Sequence, residues 1–146
     1  MKIQLKRINK SVHLQAVNEE GNVVDIDGSK SIGGEGKGAR PMQLLLMGLG
    51  GCSSMDVLSI LEKQRVVLKD YDIDINAERD ADNVPSLFTN IKVVFKFTGD
   101  LTEKDFKKID RAVNLSMDKY CSVTKIMEKT ANITHTIEIN GEPLNL

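Results

Sequence analysis

The chain has 146 residues, enough for one domain with a real core, and its 40% apolar and 28% charged composition is that of an ordinary globular protein. A net charge of -1, a pI near 6.1, 4% aromatic residues and no tryptophan leave neither a basic footprint nor stacking platforms, which argues against nucleic acid as a partner. MKIQLKRINK has no apolar h-region, and the longest charge-free apolar run, Pro41 to Met55, is short of the ~20 residues of a membrane span. A cytoplasmic chain with no membrane partner is therefore expected, and two cysteines in a reducing compartment are rarely a structural staple.

The first segment alternates like strands: Ile3 and Leu5, then Val12, Leu14 and Ala16, then Val24 and Ile26. DGSKSIGGEGKGAR (27–40) is a glycine-rich, charged loop, either a plain connector or a lid. Its Gly36-Lys37 pair is followed by Gly38 where a P-loop needs Ser or Thr, so a nucleotide site is rejected. Pro41 opens a helix expected to run to about Arg65, apolar nearly all round at its start and hence covered on more than one side. One such domain covers this helix poorly, so a homodimer is expected, with Gly48, Gly50 and Gly51 letting another backbone approach.

Two strands follow. Tyr71, Ile73, Ile75 and Ala77 share one face of YDIDINAER, and Ile91, Val93, Phe95 and Phe97 share one face of IKVVFKF. A second helix starts near Thr102, capped with Asp105, and its apolar stripe is Phe106, Ile109, Val113, Met117 and Tyr120. CSVTKIMEKT is a shorter helical stretch, and NITHTIEIN is a last strand. Segregated strands and helices predict a single antiparallel α+β domain over 1–146, not a doubly wound one.

Two thiols carry the chemistry. Cys52 lies about 16 Å into the long helix, beyond reach of its dipole, and Asp56 one turn later repels a thiolate. It reads either as a small buried hydrophobe or as a reactive thiol that needs a cation from elsewhere. Arg79 extends the Tyr71-to-Ala77 face and would there need an anion; Arg40 is the other possible cation, and either arginine could instead be solvated. Cys121 opens a short helix between Lys119 and Lys125 and on local physics is the more acidic thiol. The cysteines have no metal-clip or CxxC spacing; brought together by the fold they would form an attacking and a resolving pair.

Two Cys and two His lack the spacing of a zinc site, so no metal or cofactor is expected. His135 shares a face with Ile133, Ile137 and Ile139 and reads as a satisfied core histidine, while His13 says little. Met42, Met47, Met55, Met117 and Met127 read as core filling, or as a pliable pocket for an alkyl group.

ARPMQLLLMGLGGCSSMDVLSILEK, AERDADNVPSLFTNIKVVF and NLSMDKYCSVTKIMEKTANITHT together resemble the OsmC/Ohr family, nearest its YhfA-like branch, over essentially the whole chain. The resemblance implies an α+β fold in an intertwined homodimer with a long central helix. It also implies a thiol peroxidase for small organic hydroperoxides, in oxidative or osmotic stress defence, restored by an external dithiol reductant. Cys52 matches the cysteine that the peroxide attacks and Cys121 the one that resolves it, with Arg79 or Arg40 stabilising the thiolate. Met42 stands where the peroxidases carry a glutamate that helps hold an arginine. The alternatives are a non-enzymatic stress-induced binding protein, whose thiols would not bridge, and a redox sensor, oxidised once per chain without turnover.

Overall fold

The computed structural model describes residues 1–145 and divides into two compact units, Met1–Met47 and the chain from Gly48 onward. In the first, β1 (Gln4–Arg7), β2 (Leu14–Val17) and β3 (Val23–Ile26) form an antiparallel sheet in chain order. The glycine-rich loop after β3 is built around Asp27. Its carboxylate, 1% exposed, accepts from the backbone N–H groups of Gly28, Glu35 and Lys37 at 2.8, 2.9 and 3.0 Å. The Lys37 N–H in particular holds the Asp27 pKa below the usual carboxylate range. The segment is thus held by backbone hydrogen bonds to one buried carboxylate.

The long helix α1 (Pro41–Lys63) begins in the first unit and continues into the second. Its length and a mean hydropathy of 1.7 would let it cross a membrane, which the charge-free run alone did not suggest. Leu49, Ser53, Val57 and Leu61, at i, i+4, i+8 and i+12, are at most 1% exposed, so this face belongs to a protein core.

In the second unit, β4 (Asp70–Arg79) and β5 (Phe88–Thr98) pair as an antiparallel hairpin, with Tyr71 opposite Phe97 and Ile75 opposite Val93. The chain then makes α2 (Glu103–Leu115), a π turn over Ser116–Tyr120, α3 (Ser122–Met127), β6 (Asn132–Ile139) and the short β7 (Glu142–Pro143). The sheet order is β4-β5-β6-β7. The α+β class holds, but β5 and β6 run parallel, because the intervening helices return the chain to the end from which β5 started.

α2 starts where its cap residues dictate: the Thr102 hydroxyl accepts from Asp105 N–H, and Asp105 accepts from Thr102 N–H. Ile109, Ala112 and Val113 are fully buried, and so are Val93 and Phe95 of β5. Burial of each Ile, Val or Phe side chain among them is worth about 1.5–3 kcal/mol before chain entropy is counted. Polar links tie the layers: Ser54 of α1 to Tyr71 of β4 at 2.8 Å, and Asn114 of α2 to His135 of β6 at 3.1 Å.

The glycines of α1 differ among themselves. A methyl group on Gly50 would lie 3.1 Å from the Ile75 side chain, so this glycine permits close contact with β4. Gly48 and Gly51 have open space where a side chain would go. Beside them, Met55 is 75% and Leu58 40% exposed.

Candidate functional site

The site is assembled from α1 and from the segment that joins α2 to α3. α1 projects Cys52 and Asp56 from one face, four residues apart. The stripe Ile109, Val113 of α2 continues into Ser116, a hydroxyl on an otherwise apolar face and fully buried. A buried hydroxyl needs a partner. Ser116 Oγ donates toward the Ser53 carbonyl and Asp56 Oδ2, both at 3.2 Å, and so docks the end of α2 onto α1. There the helix widens into its π turn, closed by the Cys121 N–H on the Ser116 carbonyl at 2.9 Å. The extra residue in that turn delivers Cys121 to the N-cap of α3, with its sulfur accepting from Thr124 N–H at 3.4 Å.

The outcome is a cluster: Cys52 Sγ, an Asp56 carboxylate oxygen and Cys121 Sγ all lie within 4.8 Å of one another. Cys52 and Asp56 are part-exposed, whereas Cys121 is fully buried. Both cysteines are reduced.

The local argument for an acidic Cys121 is overturned. Burial pushes the Cys121 thiol pKa up, the neighbouring Cys52 adds to this, and the hydrogen bonds from Thr124 offset only part of it. The flanking lysines are engaged elsewhere: Lys125 pairs with Glu128 at 3.0 Å, and Lys119 lies over the exposed Tyr120 ring at 5.5 Å.

Of the two alternatives for Arg79, this chain shows the exposed one. A β-bulge opposite Glu78 and Arg79 leaves Thr89 of β5 unpaired, and Arg79, the last residue of β4, is exposed where Tyr71 to Ala77 of its row are half-buried. The guanidinium is exposed and donates through Nε and Nη2 to the Ser86 carbonyl at 3.1 and 2.6 Å, across the hairpin. Arg40 is exposed just before α1, with its backbone N–H on Gln43 Oε1 at 2.9 Å. Neither arginine is in an ion pair among the described residues.

His135 is half-buried, edge-on to Phe95 at 6.3 Å, with Nε2 against Asn114 Oδ1 at 3.1 Å, and this burial lowers its pKa. The methionines do not behave alike: Met117 and Met127 are buried, whereas Met47 and Met55 are 58% and 75% exposed. Asp56 and Ser116 join the two cysteines at the site. The sequence signal for Ser116 is a hydroxyl on the buried stripe of an amphipathic helix; for Asp56 it is a charge within the most apolar helix of the chain.

An accessible thiol on a central helix, a buried thiol beside it and an α+β frame define a dithiol protein suited to redox exchange. The chain belongs to the OsmC-like protein family, whose model matches residues 34–136. It is 44% identical over 105 residues to Protein YhfA of Escherichia coli (strain K12), a match covering 70% of this chain and 75% of that one. The crystal structure of a hypothetical protein from Aquifex aeolicus VF5 superposes with a TM-score of 0.79 at 29% identity, over 95% of each chain. An organic hydroperoxide resistance protein from Elizabethkingia anophelis superposes with a TM-score of 0.67 over 96% of this chain and 97% of that one; at 12% identity this shows the shared fold.

Proposed function

We propose that the chain is a cytoplasmic thiol peroxidase that reduces small organic hydroperoxides through Cys52 and Cys121, as part of oxidative or osmotic stress defence. The observation that carries this reading is the pairing of an accessible sulfur with a buried one inside 4.8 Å. Exposure sets the order of events. A hydroperoxide reaches Cys52 from solvent, whereas Cys121 is 0% exposed and meets only what Cys52 has become.

The Cys52 thiolate attacks the distal peroxide oxygen and the O–O bond breaks. The alkoxide leaves and is protonated to the alcohol, and Cys52 becomes a sulfenic acid. Cys121 sulfur then attacks the Cys52 sulfur, the S–O bond breaks and water leaves, its second proton supplied by the Cys121 thiol. Asp56 is the near acceptor that relays that proton. The sulfurs close to about 2.05 Å in the disulfide. An external dithiol returns both thiols by exchange. Family membership and the fold shared with a hydroperoxide resistance protein support this reading.

The working unit is a homodimer. Gly48 and Gly51 face open space on α1 beside the exposed Met55 and Leu58, and a second copy would cover this apolar face.

Turnover with an alkyl hydroperoxide and excess dithiol tests the proposal. The wild type should turn over many equivalents per chain, with hydrogen peroxide the poorer substrate, and Cys52→Ser should turn over none. Oxidation that stops at one equivalent per chain despite excess dithiol would make the protein a sensor.

A further inference from the structure

Asp56 sets a part-exposed carboxylate against two sulfurs, and no Lys or Arg side chain pairs with it among the described residues. Its hydrogen-bond partner is the Ser116 hydroxyl. A cation that prefers sulfur would engage all three groups together, since their ligand atoms lie within 4.8 Å of one another.

We propose that the reduced chain binds one thiophilic divalent cation of the zinc class through Cys52 Sγ, the Asp56 carboxylate and Cys121 Sγ. Two thiolates favour Zn²⁺ or Cd²⁺ over Mg²⁺ and Ca²⁺, which take oxygen ligands. Zinc bonds of about 2.3 Å to sulfur and about 2.1 Å to oxygen place tetrahedral ligand atoms roughly 3.5–3.8 Å apart. The observed spread of up to 4.8 Å closes to this by about 1 Å. The supporting shell is in place: Ser116 Oγ on the carboxylate at 3.2 Å and Thr124 N–H on the Cys121 sulfur at 3.4 Å. A fourth position is left for water, as in three-ligand zinc sites.

The usual Cys/His spacing is missing from the sequence because the ligands come from one helix turn and a distant N-cap, and because the third is a carboxylate. Binding releases the two thiol protons to solvent and moves no electrons. The metal and the disulfide each need both sulfurs, so they exclude one another, and a loaded chain is silent toward peroxide. The inference rests on the reduced pair and is independent of turnover.

The test is titration of metal-free, phosphine-reduced full-length protein with Cd²⁺, following the ultraviolet thiolate-to-metal charge-transfer band and the thermal melt. The site predicts saturation at one Cd²⁺ per chain, a raised melting temperature and displacement by Zn²⁺. Asp56→Asn should weaken binding by at least about 10–100-fold. Cys52→Ser and Cys121→Ser should each lose more than that. Absence of the band in the wild type, or Asp56→Asn binding as tightly as wild type, would overturn it. Should a cysteine variant fail to fold, those two readouts still decide. A protein that turns over hydroperoxide but gives no band loses this site and keeps the function; the converse result does the reverse.

Discussion

The Ser116 hydroxyl holds the site together from inside a buried stripe, donating across to Ser53 and Asp56 of the central helix. Ser116→Ala should cost about 1 kcal/mol in urea unfolding, the net worth of one such bond, and more if Asp56 is left poorly solvated. It should also slow formation of the Cys52–Cys121 disulfide, because the N-cap that carries Cys121 is then less firmly docked. Between the sulfurs, burial decides reactivity. Cys121 is enclosed and its thiol pKa is raised, so in the native reduced protein it should alkylate at least roughly tenfold more slowly than Cys52. Peptide mapping of a short iodoacetamide pulse measures the ratio, and denaturant should remove the difference. In Cys121→Ser the sulfenic acid on Cys52 has no resolving partner and should advance to sulfinic acid. Little of this was legible locally. The two cysteines stand 69 positions apart, and no spacing rule spans that distance; only the resemblance across the whole chain pairs them. The local reading of Cys121 counted the helix N-terminus and the lysines but not the desolvation that outweighs them.

Among the elements, α2 and the β4/β5 hairpin were the most legible. The Thr102/Asp105 cap and the two alternating apolar faces are written in residue type and spacing, and the structure repeats them. The bulge at Thr89 at the end of the hairpin and the parallel pairing of β6 on β5 were not, since strand periodicity carries neither bulges nor direction. The cap also gives a pH prediction. Hydrogen bonds from Thr102, with Lys108 beside them, hold Asp105 at a pKa of about 2 against an ordinary 3.8. A depressed carboxylate stabilises the fold fully above its unfolded pKa, and that contribution is lost as pH falls toward 2. Asp105→Asn should therefore flatten the stability profile in this window, as followed by urea midpoints. Thr102→Ala should cost about 1 kcal/mol at neutral pH.

At the scale of the whole molecule, the central helix separates the protomer from its proposed dimer. Gly51 has open space around it in one chain, so in an isolated monomer Gly51→Ala should stabilise the helix by about 1 kcal/mol. Beneath a second copy, the same methyl group should obstruct the interface. Analytical ultracentrifugation should show a dimer that Gly51→Ala weakens by at least about tenfold, roughly 1.4 kcal/mol; a wild-type monomer stabilised by the change would remove the dimer. The redox account rests on one event, closure of an accessible sulfur onto a buried one. Intact-mass and peptide mapping of the reduced protein after one equivalent of an alkyl hydroperoxide records it directly. The account predicts near-complete loss of two hydrogens per chain, mapped to a Cys52–Cys121 bridge within one polypeptide. Both thiols still free, or Cys52 overoxidised beside an untouched Cys121, would contradict it.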